Sequence, residues 1–87
     1  MPYRIDFKPA ARRDLKALPA DVQRRIAPRI DALADNPRPP GTEKLAGGES
    51  TYRLRVGDYR IIYRIEDRAL LVLVVRVGHR RDIYRGL

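Results

Sequence analysis

Arginine and apolar side chains alternate in the segment YRLRV at residues 52–56. A strand with this alternation places Arg53 and Arg55 on one face. Gly57-Asp58 fits a two-residue hairpin turn with glycine at its first central position, and that register sets Arg55 opposite Arg60. Like charges that face each other across strands cost stability, so the cluster requires a compensating anion, a solvated edge or a function. Phosphate is the anion we expect, because planar guanidinium groups match its oxygens in bidentate fashion.

More side chains that could bind or react with a phosphodiester follow along the chain. They are Arg64 on the same predicted face, Arg80 and Arg81 after the last apolar run, and the titratable His79 and Tyr84. Arginine effectively never loses its proton, so proton transfer falls to the imidazole or the phenol. The assignment of base and acid between them stays open. Each residue also has a structural interpretation: His79 ends a strand in solvent, Tyr84 packs on a sheet edge, and Arg60 pairs with Glu66 or Asp82.

The composition favours a polyanionic partner. The formal net charge is +8 and the pI is near 10.6, which suits nucleic acid, an anionic membrane or an acidic protein. Codon bias explains why arginine outnumbers lysine, but it explains the excess of positive charge less well. Cysteine is absent and histidine occurs once, so we expect no disulfide, no metal site and no cofactor. No apolar run reaches membrane-spanning length and no secretory signal is visible, so we expect a cytoplasmic protein.

The periodicity predicts one domain over residues 1–87 with the order β-α-α-β-β-β. Residues 2–8 alternate as a strand, a helix follows from Pro9, and Asp21 is the expected N-cap of a second helix that ends at Asn36-Pro37. Pro28 interrupts that helix, but its apolar stripe continues on both sides. Residues 36–50 are expected to form a loop, and strands are expected at 51–56, 59–66 and 69–77, followed by a polar tail. The predicted class is α+β, with two N-terminal helices packed on a four-stranded, mainly antiparallel sheet.

Several segments together resemble one known family. GDYRIIYRIED, an apolar strand, VGHRRDIYR and the opening PYRIDFKPAARRDLKALP occur in this order, and the set is similar to the RelE branch of the RelE/ParE toxin superfamily. The resemblance implies a RelE-like fold, an acidic antitoxin as partner, and metal-independent cleavage of messenger RNA on the ribosome. It also implies that promoter DNA is bound only through the antitoxin complex.

The resemblance also implies roles for individual residues. The family's basic sheet residues and C-terminal tyrosine fall by position on Arg53, Arg55, Arg60, Arg80 and Tyr84. Arg53 and Arg55 stand where studied relatives have lysines, so they can bind phosphate but are poor general bases. We expect Arg60 and Arg80 to clamp the scissile phosphate, with Arg53 and Arg55 around the flanking backbone.

Three functions are consistent with this sequence. The first is a ribosome-dependent endoribonuclease toxin, in which the ribose 2′-OH attacks the adjacent phosphorus. The second is a ParE-like poison of DNA gyrase on nearly the same fold. The third is a degenerate toxin that binds antitoxin and nucleic acid without catalysis, an alternative raised by the arginines that replace lysines. Tyr84 favours the first, because ParE-like chains tend to lack a tyrosine after the last basic cluster.

Overall fold

A computed structural model describes residues 2–46 and 50–83 of the chain. Two helices and five strands follow one another as β1 (Arg4–Phe7), α1 (Pro9–Ala17), α2 (Ala20–Ala32), β2 (Thr42–Lys44), β3 (Thr51–Val56), β4 (Tyr59–Glu66) and β5 (Leu71–His79). The strands form one mixed sheet in the order β1-β5-β4-β3-β2. β1 runs parallel to β5, and every other pair is antiparallel. The predicted α+β class is therefore confirmed.

The sheet has five strands in this part of the chain, whereas four were predicted. The additional strand, β2, lies within residues 36–50, which were expected to form a loop, and Glu43 pairs with Arg53 in its register. A strand of three residues is too short to give a periodic signal. β2 forms because it satisfies backbone groups on the edge of β3 that would otherwise lack partners.

Some predicted boundaries shift by a few residues. α2 begins at Ala20 with Pro19 as its N-cap, so the expectation that Asp21 caps this helix was wrong. Asp21 instead lies in the first turn, where a carboxylate is favourable near the helix N-terminus. α2 also ends at Ala32, before Asn36-Pro37. The last strand runs from Leu71 to His79 because a single 3₁₀ turn occupies 67–69.

The hairpin between β3 and β4 has the predicted register. Val56 lies opposite Tyr59 and Arg55 lies opposite Arg60. Gly57 has a φ of 60°, in the left-handed region that glycine adopts without penalty. The alternation along both strands therefore divides apolar from basic side chains, as the sequence pattern indicates.

The hydrophobic core lies between the helices and one face of the sheet. Its buried members from α1 and α2 and the segment just after them are Ala11, Val22, Ile26, Ile30 and Leu33, and those from the sheet are Leu54, Val56, Ile61, Tyr63, Ile65, Val72, Val74 and Val77. α2 continues through Pro28, as predicted, because Ile26 and Ile30 are buried on either side of it. The opposite face of the sheet is left without helices.

α1 also protects an exposed part of the sheet edge. β1 pairs with β5 only from Leu71 to Val74, so the backbone beyond that point lacks a neighbouring strand on this side. Asp14 of α1 accepts a hydrogen bond from the Val77 N–H at 3.0 Å and binds the Arg76 guanidinium at 2.7 and 3.3 Å. The carboxylate thus replaces the missing strand as a hydrogen-bond acceptor.

Candidate nucleic-acid interface and active site

The face of the sheet that carries no helix is the basic face. Arg53 and Arg55 on β3 share it with Arg60 and Arg64 on β4, because cross-strand partners point to the same side and Arg55 pairs with Arg60. Ile62 lies between the two β4 arginines and is only 2% exposed. The basic residues are therefore held on rigid strands over an apolar floor.

Three of these arginines line one open cavity of about 380 Å³. Arg53, Arg55 and Arg60 form one part of its wall, and Gly41, Thr42 and Glu43 at and just before β2 form the rest. The Arg55 N–H donates to the Gly41 carbonyl at 3.2 Å, which fixes the start of β2 against β3. The predicted face thus has a concave shape in which an anion can be surrounded.

Glu43 is the carboxylate in this cavity, and the sequence analysis missed it. It lies opposite Arg53 in the β2–β3 register and forms an ion pair with that guanidinium. The glutamate side chain is 68% exposed and the arginine 31%, and solvated pairs of this kind contribute only about 0–1 kcal/mol. A phosphate can therefore compete with Glu43 for Arg53. No periodic signal marks β2, so nothing in the sequence placed Glu43 opposite the arginines.

Neither of the other two guanidinium groups in the cavity has a carboxylate partner among the residues that the structure describes. Arg60 Nη1 donates to the carbonyl oxygens of Gly57 at 3.0 Å and Tyr59 at 2.9 Å. Arg55 is exposed and has no ion pair among the residues that the structure describes. Both positive charges are therefore available to an anion in the cavity.

The remaining predicted arginines lie outside the cavity wall. Arg64 pairs with Glu66 at 3.2 Å. Arg80 lies beside the β3–β4 turn, where its N–H donates to the Asp58 carbonyl at 2.8 Å and its Nε is 3.8 Å from Asp58 Oδ1. Arg81 is exposed after the end of β5. Arg80 is thus near the cavity but directed to a carboxylate at the turn.

His79 lies on the other face of the sheet. The register pairs it with Tyr59, whose ring it meets edge-on at a centroid distance of 5.5 Å. Its Nδ1 accepts a hydrogen bond from the Arg81 N–H at 3.1 Å. It lines a second cavity, of about 330 Å³, together with Asp14 and other residues. The structure therefore does not bring His79 to the arginine cavity, and Tyr84 lies outside the described residues.

The first residues after β5 fold back against the end of that strand. Ile83 donates its N–H to the His79 carbonyl at 3.0 Å, which closes one helical turn, and its side chain is 1% exposed. A Cβ on Gly78 would lie 3.4 Å from Ile83 Cδ1, so a glycine leaves room for this contact. The chain thus folds back beside the end of β5 instead of leaving the domain at His79.

A second cluster of charged and hydroxyl side chains connects distant segments of the chain. Asp67 accepts hydrogen bonds from Arg38 at 2.9 and 3.3 Å and from the Tyr3 hydroxyl at 2.6 Å. These bonds hold the Asp67 pKa below its usual value, and the hydrogen bond to Asp67 raises the Tyr3 pKa. The Arg38 guanidinium also lies 5.2 Å from the Tyr52 ring centroid. The cluster joins β1, the segment before β2, β3 and the turn after β4.

The residues that the structure describes offer neither a metal site nor a membrane-spanning helix. Within 2–46 and 50–83, no group of three or more His, Cys, Asp or Glu side chains could hold a metal ion. No helix in this part of the chain is long and apolar enough to cross a membrane.

The fold, with a helix layer on a mixed sheet, is shared with bacterial and archaeal toxins of known structure. A family model described as the ParE toxin of the type II toxin–antitoxin system parDE matches residues 5–84. The chain therefore belongs to this family, and its relatives identify it further as a RelE-like toxin of a type II toxin–antitoxin system.

The relatives resemble the chain along nearly its whole length. Toxin RelG of Mycobacterium tuberculosis is 39% identical over 98% of this chain and 99% of its own length. The mRNA interferase toxin RelE of Escherichia coli is 29% identical over 92% of this chain and 85% of its own. The toxin–antitoxin complex RelBE2 of M. tuberculosis includes a chain with a TM-score of 0.80 and 32% identity, and the match covers 91% of this chain and 99% of that one. The resemblance to the RelE branch is thereby confirmed, and the gyrase and degenerate-toxin alternatives are not favoured.

Proposed function

We propose that this toxin is a ribosome-dependent endoribonuclease that cleaves messenger RNA. The observation that carries the proposal is the cavity whose wall is formed by Arg53, Arg55 and Arg60 together with the carboxylate of Glu43. The name mRNA interferase, given to the E. coli relative, supports the same activity. A phosphodiester supplies an anionic partner for Arg55 and Arg60, which have no carboxylate partner among the residues that the structure describes.

In the proposed reaction the RNA supplies its own nucleophile. The 2′-oxygen forms a bond to the adjacent phosphorus, the bond from phosphorus to the 5′-oxygen breaks, and the products are a 2′,3′-cyclic phosphate and a 5′-hydroxyl. The phosphorane gains negative charge, which guanidinium donors stabilise without a metal ion. Arg60 and Arg55 bind the non-bridging oxygens, and Arg53 binds after it exchanges Glu43 for phosphate. Arg80, beside the turn, donates a hydrogen bond to the leaving 5′-oxygen, which takes its proton from water.

The reaction also requires a group that accepts the 2′-OH proton. The arginines cannot accept it, whereas an ionised carboxylate is purely an acceptor. Glu43 is the carboxylate that lines the cavity, and the exchange of Glu43 for phosphate at Arg53 frees its oxygens to accept a proton. We therefore assign proton acceptance to Glu43. We propose that Tyr84 contacts the RNA or takes part in the proton transfer. His79 lies on the opposite face of the sheet, which supports a structural role for His79.

The partners follow from the same proposal. The chain acts on mRNA in the ribosomal A site, in the cytoplasm, and an acidic antitoxin binds and neutralises it. The antitoxin complexes of similar toxins support such a partner, and the net charge of +8 suits an acidic one. Promoter DNA is bound through the antitoxin complex, and Arg64 and Arg81 supply further phosphate contacts on the ribosome.

Primer extension on translating ribosomes tests this function. The purified toxin is added to ribosomes that translate a defined message, and the 5′ ends are mapped with and without antitoxin. We expect new ends inside codons that disappear when antitoxin is added first. An intact message at toxin concentrations that stop translation would contradict the proposal. A gyrase supercoiling assay with the same preparation serves as the control and should show no inhibition.

A further inference from the structure

Two guanidinium groups converge on the hairpin tip from opposite faces of the sheet. Arg60, on the basic face, donates to the Gly57 carbonyl at 3.0 Å. Arg25 belongs to α2 on the other face, and its Nη2 lies 4.0 Å from the place that a Cβ on Gly57 would occupy. The turn at Gly57 thus lies between the arginine cavity on one face of the sheet and Arg25 of α2 on the other.

Arg25 has no role in the fold that accounts for its position. It is exposed, and among the residues described it forms no ion pair. The carboxylate of the turn, Asp58, is directed instead to Arg80 at 3.8 Å. An unpaired cation held against the tip of a hairpin can interact with an anion that passes over that tip.

We propose that Arg25 binds a backbone phosphate that flanks the scissile one, so that the RNA strand crosses the hairpin tip from the cavity onto α2. This inference rests on the proposed function, because the cavity defines where the scissile phosphate lies. A single strand bound along a series of positive side chains keeps its phosphates in contact with successive cations. Arg60 and Arg25, on either side of Gly57, are two such successive cations.

Salt-dependent binding of a short RNA tests the inference. The probe is a fluorescent single-stranded RNA with a 2′-O-methyl group at the scissile ribose, which prevents cleavage, and anisotropy is measured across KCl concentrations. Loss of one phosphate contact lowers the slope of log affinity against log salt by about 0.7 for single strands. We expect this decrease for Arg25→Ala, with an affinity about two- to five-fold lower at low salt.

Arg13→Ala is the matched control. Arg13 is an exposed arginine on α1, a helix that packs on β5 and β1. The control removes the same charge from a helix and should leave the slope unchanged. Equal slopes for Arg25→Ala and Arg13→Ala would overturn the inference. Both variants replace an exposed helical residue with alanine, so both should fold.

Neutral linkages in the RNA locate the contact. A methylphosphonate replaces one flanking phosphate at a time, and the difference between the wild type and Arg25→Ala should vanish at a single flanking position. Persistence of that difference at every flanking position would contradict a direct contact. Arg55→Ala separates the two proposals. If Arg55→Ala weakens RNA binding and Arg25→Ala does not, only the flanking site is overturned. If Arg55→Ala has no effect on RNA binding, the cavity itself is overturned.

Discussion

The positive charges on neighbouring strands are kept apart by three different local arrangements. Arg53 meets Glu43, Arg60 bends back to two backbone carbonyls, and Arg55 extends into solvent. None of the three contacts is buried, so each can be replaced by contacts to a phosphate at little cost. The proposed anion site therefore needs little rearrangement of these arginines when a phosphate binds.

Arg60→Ala should abolish most of the cleavage activity. Loss of one preorganised donor to a developing oxyanion reduces the chemical rate by about 10²–10³-fold. Single-turnover cleavage of mRNA on ribosomes measures this rate. Arg13→Ala should cleave at the wild-type rate. A similar loss in that control would show that cleavage depends on the overall positive charge and not on the cavity.

Glu43→Gln should separate binding from cleavage. The amide keeps the shape of the side chain but cannot take the 2′-OH proton, so cleavage should fall by about 10²–10⁴-fold. RNA affinity should stay constant or increase, because the substitution removes a negative charge from a cavity lined by three arginines. Retained cleavage with weaker binding would contradict the role given to Glu43.

The arginine residues of the cavity could be predicted from the sequence, whereas their neighbours could not. Alternation and a Gly-Asp turn fix the register that brings Arg55 to Arg60, because both signals are local. Glu43 and Arg25 reach the site through β2 and α2, and contacts between distant segments leave no local pattern. His79 was expected near the arginines, but its place in the β5 register puts it on the opposite face.

At the scale of the elements, α1 completes the sheet where β1 ends. Asp14 satisfies the Val77 N–H and the Arg76 guanidinium together, and that ion pair is more enclosed than the others, with side chains 19% and 28% exposed. The hydrogen bonds that Arg76 donates to the Asp14 carboxylate raise the Arg76 pKa. The helix was predictable from its apolar spacing, but its function as an edge cover depends on where β1 stops.

Asp14→Ala should destabilise the fold by about 1–3 kcal/mol, because it leaves a partly buried N–H and a charge without an acceptor. Urea unfolding followed by circular dichroism measures this free energy. Asp31→Ala, at an exposed site on α2 without an ion pair among the described residues, should change it by less than about 0.5 kcal/mol. Equal effects of the two variants would show that Asp14 does not protect the edge.

At the scale of the whole molecule, one cluster joins segments that are far apart in sequence. Tyr3 and Asp67 are 64 residues apart, and Arg38 lies between them along the chain. Such a contact cannot be read from composition or periodicity. The cluster lies on the opposite side of β3 from the cavity residues, since Tyr52 alternates with Arg53.

The cluster predicts how stability depends on pH. The folded state lowers the Asp67 pKa, so its contribution is fully present above the ordinary carboxyl range near 4 and is lost as the pH falls through the folded value. Thermal melts of the wild type and Asp67→Asn from pH 7 to pH 2 measure this effect. The difference between their Tm values should narrow below about pH 4, and a constant difference would contradict the assignment.

The chemical nature of the cut ends tests the central claim most directly. Messages cleaved on ribosomes by the purified toxin are analysed by mass spectrometry, beside a message with a single 2′-deoxyribose at the mapped site. The arginine cavity and self-attack by the RNA predict 2′,3′-cyclic phosphate and 5′-hydroxyl ends, and no cleavage at the deoxy position. Cleavage at the deoxy position, or 5′-phosphate ends, would contradict the account.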